Sequence, residues 1–431
     1  VTTIEAGLPN GADVADPAAG WPPLPLAPVA LYVHIPFCVS ICPYCDFVVY
    51  AGAAARGPRN RIALVLGALE TEVGLRADAL DLVFGDPGAR GRQPLTSLYI
   101  GGGTPSLVPA DDLARLVDLV RRRFGLADDA EVTLEANPGV DERGDGAAMR
   151  RAGINRISFG GQSLDADELK RLGRRHRPED VADAVAEARE AGIGSINLDL
   201  LYDLPDGTHA SWMRTLEGAV AIAPDHLSLY ALTLDDPDAE GLTGPSGDHL
   251  PTTPGARRWR DAARRAQDED RATAQYHEAV HLLSEGGWRG YEISNWARPG
   301  HESRHNMAYW ERRPYEAVGP GAHAFDGTSR RWNAARLDAY LAALDPPGAV
   351  RPRLPPGGSE TLDEATAAAE RVILGLRTDR GLPLHEADQG PLAESFGWAL
   401  TMELLEVTGE GRMVLTTRGR LLSNELFARL I

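Results

Sequence analysis

Six short segments rich in β-branched and bulky apolar residues recur along the first half of the chain: ALYVHI (30–35), SLYIGG (97–102), EVTLEAN (131–137), RISFGG (156–161), SINLDLLY (195–202) and HLSLYALT (226–233). Each has the length of a strand and is bounded by turn-forming residues. The intervals between them carry the period of amphipathic helices instead. Leu113, Leu116, Val117, Val120 and Phe124 share one helical face, and Trp212, Leu216 and Val220 form another stripe. Asp165 stands where an N-cap carboxylate belongs, just ahead of ADELKRLGR. Strand and helix alternating in this way predict a parallel sheet with right-handed crossovers. Six units are two fewer than a closed eight-fold barrel needs. The expected fold is therefore α/β, a partial (β/α)6 barrel whose open side later sequence covers.

Composition breaks divide the rest. Residues 1–29 are rich in Pro, Gly and Ala without a sustained period and read as a flexible N-terminal segment; 30–235 form the barrel; 236–269 shift to Asp, Pro, Gly, Thr and Arg and read as a linker or insertion. The Gly-, His- and aromatic-rich stretch 270–345 is expected to complete the barrel side. Beyond a Pro/Gly break at 346–360, the tail reads helix, helix, short strand (RMVLTT), helix (LLSNELFARLI), which makes 346–431 a winged-helix-like α+β/helical cap domain. A DNA-reading helix-turn-helix is the rival for that tail.

Charge weighs against the rival. The 431 residues carry a formal charge of −18, which opposes phosphate-backbone binding, so no nucleic-acid partner is expected. No apolar run approaches the roughly 18–20 residues that cross a bilayer, and the N-terminus lacks a secretory pattern, so the expected location is cytoplasmic.

The three cysteines of the chain, Cys38, Cys42 and Cys45, lie within eight consecutive residues, directly after the first strand. The spacing lets one loop direct three thiolates at one metal centre, and a three-thiolate [4Fe–4S] cluster leaves one iron with an open coordination position. A Cys3His zinc site recruiting His34, and three ordinary core thiols, are the alternatives. Ligands in parallel α/β folds bind at the carboxyl ends of the strands. On that rim stand the cysteine loop, GGGTP (101–105), Glu135, Asn137, Gln162, Asp199, Tyr230 and Ala231. Asp199 interrupts an apolar strand and needs a buried partner or a ligand. GGGTP reads either as a tight turn or as backbone brought close to a ligand; it is neither a Walker sequence nor a dinucleotide loop.

YVHIPFCVSICPYCDF resembles the CxxxCxxC signature of radical S-adenosylmethionine (SAM) proteins, in the oxygen-independent coproporphyrinogen III oxidase-like branch. GGGTPS, EANPG, GINRISFGGQS, LGRRH, NLDLLYDLP, YEISNWARPGHESRHNMAYW and VGPGAH resemble blocks of that branch in the same order, over roughly residues 30–430. The resemblance implies that Cys38, Cys42 and Cys45 hold a [4Fe–4S] cluster whose fourth iron SAM chelates. It also implies that Tyr32, Tyr44, Gly102, Gly103, Thr104, Glu135, Gln162, Arg174, Asp199, Ala231 and Phe325 line the SAM site. Gly102 and Gly103 would admit the methionyl group, Asp199 the ribose hydroxyls, Arg174 a carboxylate, and Tyr44 would pack on adenine. Two positions depart from the branch: Gly161, where an apolar branched residue is usual, and Asp203, where Gly is usual.

The branch holds both decarboxylating oxidases and heme chaperones. The oxidases have a further cysteine soon after the third ligand; here Asp46 and Phe47 follow Cys45, and no fourth cysteine exists. HNMAYW (305–310) resembles the chaperones' HNxxYW heme motif. The resemblance therefore implies a heme chaperone delivering heme to a respiratory protein, with peripheral contact at the inner face of the cell membrane compatible with that role. Radical-initiated decarboxylation of coproporphyrinogen III is the alternative. The implied heme set is His305, Asn306, Tyr309 and Trp310, with His305 on iron and His301 and His323 as its rivals. Residues 296–332 hold six Arg against four acids, compatible with anionic heme propionates.

Overall fold

The computed structural model describes residues 26–57, 60–88, 91–387 and 392–430. Residues 1–25 of the expected N-terminal segment lie outside them. The six predicted strands are present as β1 (Ala30–Ile35), β2 (Leu95–Gly102), β3 (Leu126–Ala136), β4 (Arg156–Gln162), β5 (Ser195–Tyr202) and β6 (His226–Ala231). They pair in sequence order and all in parallel. Helices fill the crossovers. The stripe Leu113, Leu116, Val117, Val120 and Phe124 is buried on the helix Ala110–Phe124, and the Asp165 carboxylate caps the next short helix by accepting from the amides of Asp167 and Glu168.

Alternation along the strands sorts two environments. Leu31, Val33, Ile35, Leu98, Ile100, Val132, Leu134, Ile157, Phe159, Ile196, Leu198, Leu227 and Leu229 belong to the main core that the helices cover. The residues between them, on the opposite face, form a hydrogen-bonded polar lining: Tyr32 with His34, Tyr99 with Glu135, Ser158 and Asn197 with Asp199, and His226 and Ser228 with Asn197. A period of two in the sequence thus becomes an apolar outside and a polar inside.

Later sequence extends both edges into a twelve-stranded sheet. β7 (Arg289–Gly290) and β8 (Asn295–Ala297) add antiparallel beyond β6, while β9 (Tyr315–Val318) joins β1 in parallel, followed by β10 (His323–Phe325), β11 (Ser329–Asn333) and β12 (Gly357–Thr361), all antiparallel. At the C-terminal end β13 (Leu382–Pro383), β14 (Leu405–Val407) and β15 (Arg412–Leu415) form a separate antiparallel sheet over a small core of its own. The sequence pattern anticipates only β15 there. β13 and β14, two and three residues long, are too short to show a period. Among the described residues, no helix is long and apolar enough to cross a membrane.

Candidate functional site

The loop that leaves β1 is folded back on itself by backbone bonds: the Cys38 amide donates to Tyr50 O at 3.0 Å, the Tyr50 amide to Pro36 O at 2.7 Å, and the Cys45 amide to Cys42 O at 3.0 Å. His34 anchors its far end, Nε2 lying 2.8 Å from Val48 O. The helix Pro254–Ala266, within the region read as a linker or insertion, holds the same loop from outside. The Arg260 guanidinium, buried there, donates to the carbonyls of Pro43 (3.2 Å), Cys45 (2.8 Å) and Asp235 (2.6 Å). Trp259 beside it packs on Tyr44.

All three cysteines wall one cavity of about 370 Å³ at the carboxyl ends of the strands. Thr104 Oγ1 donates to Cys38 Sγ at 3.4 Å and Arg174 Nη1 to Cys42 Sγ at 3.6 Å. Burial pushes the Cys38 thiol up to about 11 and the Cys45 thiol to about 12. Thiolates here need a strong local positive charge, which bound iron would supply. The zinc alternative does not fit. His34 is committed through Nδ1 to Tyr32 and through Nε2 to Val48, and among the described residues no three His, Cys, Asp or Glu side chains close on a single-ion centre. Nor are the thiols core residues: all three are partly exposed.

Tyr44, Gly102, Gly103, Glu135, Gln162, Arg174, Asp199 and Ala231 line the cavity, as do Tyr99, Asn137, Ser158 and Tyr230. Glu135 accepts from the Tyr99 hydroxyl and the Gly102 amide, both at 2.8 Å, yet burial still pushes it up to about 7. Asp199 has the partners its strand demands, Ser158 Oγ at 2.9 Å and Asn197 Nδ2 at 2.7 Å, and burial nevertheless raises its pKa. Arg174 is held by Gly160 O at 2.6 Å and Asn137 Oδ1 at 2.5 Å, which fixes the guanidinium beside Cys42.

The glycine turn has a packing cause. A Cβ on Gly102, whose φ is +115°, would lie 2.6 Å from the His34 ring, and one on Gly103 would lie 2.5 Å from Phe37 O. The two departures from the resembled branch are equally local. A Cβ on Gly161 would meet the Leu198 side chain at 2.5 Å, so a larger residue there requires Leu198 to shift. Asp203 takes the left-handed φ of +54° that favours Gly, and the Asp268 amide at 3.2 Å and the Arg271 guanidinium hold its carboxylate.

Three of the expected SAM residues lie elsewhere. Thr104 is behind Cys38, and Tyr32 lines a neighbouring cavity with His34. Phe325, on β10, lies under the Arg312 guanidinium, 4.7 Å from its ring centroid, and lines an outer groove with Leu80, Val83 and Tyr315. Register explains Phe325: on antiparallel β10 it pairs with Tyr315, which pairs with Ala30, so it lies at the amino end of β1, away from the rim.

His305 is an interior residue. It lies on the helix Arg304–Trp310 with Asn306, Tyr309 and Trp310, is 1% exposed, and uses both ring nitrogens, Nδ1 with Ser97 Oγ at 3.0 Å and Nε2 with Tyr309 OH at 2.7 Å. Burial lowers its pKa to about 3. Packed also on Tyr99, the ring has both nitrogens hydrogen-bonded within the interior. Trp310 stacks under Arg377 at 4.1 Å, and Asn306 is half-buried. His301 bonds Ser195 Oγ at 3.1 Å, and His323 is exposed on β10. Arg260 went unanticipated, although the Arg-rich, Trp-bearing stretch PGARRWRDAARRA was its visible signal.

Comparison with known proteins adds three findings. The model of the radical SAM superfamily matches residues 32–217. The chain is 37% identical to the heme chaperone HemW of Mycobacterium tuberculosis over 414 residues, 96% of this chain and 97% of that protein. It is 37% identical to the heme chaperone HemW of Escherichia coli over 298 residues, 69% of this chain and 70% of that protein, and 34% identical to the bovine mitochondrial radical S-adenosyl methionine domain-containing protein 1, over 90% and 83%. Among solved structures, coproporphyrinogen III oxidase (HemN) from Escherichia coli, a radical SAM enzyme, superposes with a TM-score of 0.74 over 94% of this chain and 91% of that one, at 23% identity. The partial barrel is thus a fold shared with that enzyme.

Proposed function

The chain belongs to the radical SAM superfamily and is a homologue of the heme chaperone HemW; from that premise we propose that it carries a [4Fe–4S] cluster on Cys38, Cys42 and Cys45, binds SAM in the adjoining cavity, and transfers heme to a heme-accepting respiratory protein. The observation that carries the cofactor part is one cavity walled at once by three cysteines, a fixed guanidinium and two buried carboxylates. When bound, the cluster supplies an iron with an open coordination position, which the amino and carboxylate groups of SAM fill.

The chain's own residues divide the remaining work. Arg174, immobilised beside Cys42, is the partner for a carboxylate. Glu135, held by Tyr99 and Gly102, accepts from an ammonium group, whose charge would draw its proton away. Asp199 accepts ribose hydroxyls, and Tyr44 offers a ring face to adenine, with Gln162 and Ala231 completing the wall.

Heme carriage is supported by the HemW relatives and by the cysteine count. Asp46 and Phe47 stand where a further sulfur would extend the set, so this chain lacks the thiol that the oxidases of the branch place there. Two measurements on anaerobically reconstituted protein test the reading. Hemin titration is expected to give a saturable Soret shift at one heme per chain, and coproporphyrinogen III with SAM and reductant is expected to remain unconverted. Repeated turnover to protoporphyrinogen would replace the chaperone reading with the oxidase one.

A further inference from the structure

Both buried carboxylates of the SAM cavity lead, contact by contact, to the helix Arg304–Trp310. The first route starts at Glu135. Its Oε1 accepts from the Tyr99 hydroxyl at 2.8 Å, and the Tyr99 ring packs on the His305 imidazole with centroids 5.1 Å apart. Two residues back on β2, Ser97 Oγ lies 3.0 Å from His305 Nδ1, while the Tyr309 hydroxyl takes Nε2 at 2.7 Å. The second route starts at Asp199. Its Oδ1 accepts from Asn197 Nδ2 at 2.7 Å, and Asn197 Oδ1 lies 2.6 Å from His226 Nδ1. His226 Nε2 lies 2.9 Å from the Tyr291 hydroxyl, which accepts from the Ser303 amide at 3.3 Å. Ser303 is the N-cap of that same helix.

Strand β3 adds a third tie. Glu131 shares a strand face with Glu135, and its carboxylate accepts from the amides of Arg304 at 3.1 Å and His305 at 3.2 Å. The contacts are interior: Ser97 is 0% exposed, and His226 and His305 are 1% exposed. A histidine ring so placed has two mutually exclusive occupations. Iron takes one imidazole nitrogen, and both are already engaged, so His305 reaches a heme only by leaving Ser97 or Tyr309. Leaving strands a buried hydroxyl and uncovers the Tyr99 ring that holds Glu135.

We infer that His305 is an iron ligand latched inward, and that its latch is shared with the SAM cavity, so that heme capture and SAM binding antagonise each other. The inference rests on the heme-carrying reading, with His305 as the ligand that the HNMAYW resemblance implies. An ammonium group placed on Glu135 fixes that carboxylate as the acceptor for Tyr99, which backs the inward ring. A heme that draws His305 outward removes the backing and loosens Glu135 in turn. Two ligands that favour different positions of one side chain are coupled reciprocally, each weakening the other by the same factor. A carrier built in this way releases heme as SAM enters.

The test is anaerobic hemin titration of the cluster-loaded full chain, read by the Soret shift with and without saturating SAM, and omitting reductant so that SAM stays intact. Calorimetry supplies the converse, SAM affinity with and without bound hemin. Saturating SAM is expected to weaken hemin binding about tenfold, and hemin to weaken SAM binding by the same factor. Ser97 does not line the SAM cavity, so Ser97→Ala removes only an inward partner of His305. It should bind hemin about fivefold more tightly than wild type, with far-ultraviolet circular dichroism as the fold control. In a His305→Ala background the same substitution should leave hemin affinity unchanged. A gain that persists in that background, or a folded Ser97→Ala protein that binds hemin no more tightly than wild type, would overturn the latch. Saturable hemin binding that is indifferent to SAM in the wild type would overturn the coupling while leaving heme carriage standing. A wild type that shows no saturable shift would overturn heme carriage, and this inference with it.

Discussion

Replacing Arg260 by Ala removes a single guanidinium that touches no cysteine sulfur, yet it should loosen the cluster. Three carbonyls lose a charged donor at 3.2 Å or less, those of Pro43, Cys45 and Asp235, and two of these belong to the cysteine loop. A hydrogen bond to a charged group contributes about 1.5–3 kcal/mol. Taking the lower figure for each of the three, and letting water recover about half once the side chain is gone, leaves about 2 kcal/mol of lost loop stability. That corresponds to about a thirtyfold rise in the population of opened loop. The fold should survive, because Trp259 Nε1 still ties the helix Pro254–Ala266 to Arg171 O at 3.1 Å. The assay is iron release to a chelator from anaerobically reconstituted protein, at matched initial iron and sulfide. Arg260→Ala should release iron about thirtyfold faster than wild type, and Arg260→Lys, with a point charge for a fork, should fall between. Arg264→Ala, which loses Leu234 O and Asp261 but no contact to the cysteine loop, is the control and should match wild type. Equal release rates for Arg260→Ala and Arg264→Ala would refute the clamp.

Replacing any one of Cys38, Cys42 or Cys45 by Ser should abolish cluster incorporation; full iron and sulfide in all three variants would refute the assignment. Glu135 sets a pH dependence. Its folded pKa is raised from 4.5 to about 7, so its stabilising contribution is whole below about pH 4.5 and is lost as pH rises through 7, by up to about 3 kcal/mol. Glu135→Gln cannot lose it, so the cluster-free wild type should fall in stability relative to that variant between pH 4.5 and 7 and run parallel above; a constant gap from pH 4 to 9 in denaturant unfolding would refute the buried-acid account. Arg174→Ala should weaken SAM binding by about tenfold or more, since a charge-assisted pair is lost, while iron content stays near that of wild type. Calorimetry with SAM checks the first and iron assay the second.

The barrel was legible because one rule places most of it. Apolar residues at alternate strand positions face the helices, so their neighbours must face inward, and the inward set contains the chemistry: Tyr99, Glu135, Ser158, Asn197 and Asp199. Asp199 was flagged by its cost in an apolar strand, and its two partners answer that cost. Phe325 does not line the cavity because rim membership depends on strand direction and register, and nothing local to HAF (323–325) says that it pairs toward the amino end of β1. Arg260 was missed for a related reason. Its partners are backbone carbonyls more than 200 residues away at Pro43 and Cys45, and backbone acceptors leave no trace in sequence.

The histidines show where spacing stops being informative. Along the helix Arg304–Trp310, positions 305 and 309 are one turn apart, and that spacing serves two purposes equally well. It can offer an imidazole and a phenol to one flat ligand, or it can let the phenol satisfy the imidazole. The 2.7 Å bond between Nε2 of His305 and the Tyr309 hydroxyl, with Ser97 on the other nitrogen, selects the second. Nothing within the helix could reveal that, since Ser97 arrives from β2. A histidine's hydrogen-bond partner can be local, but its availability is a property of the whole fold.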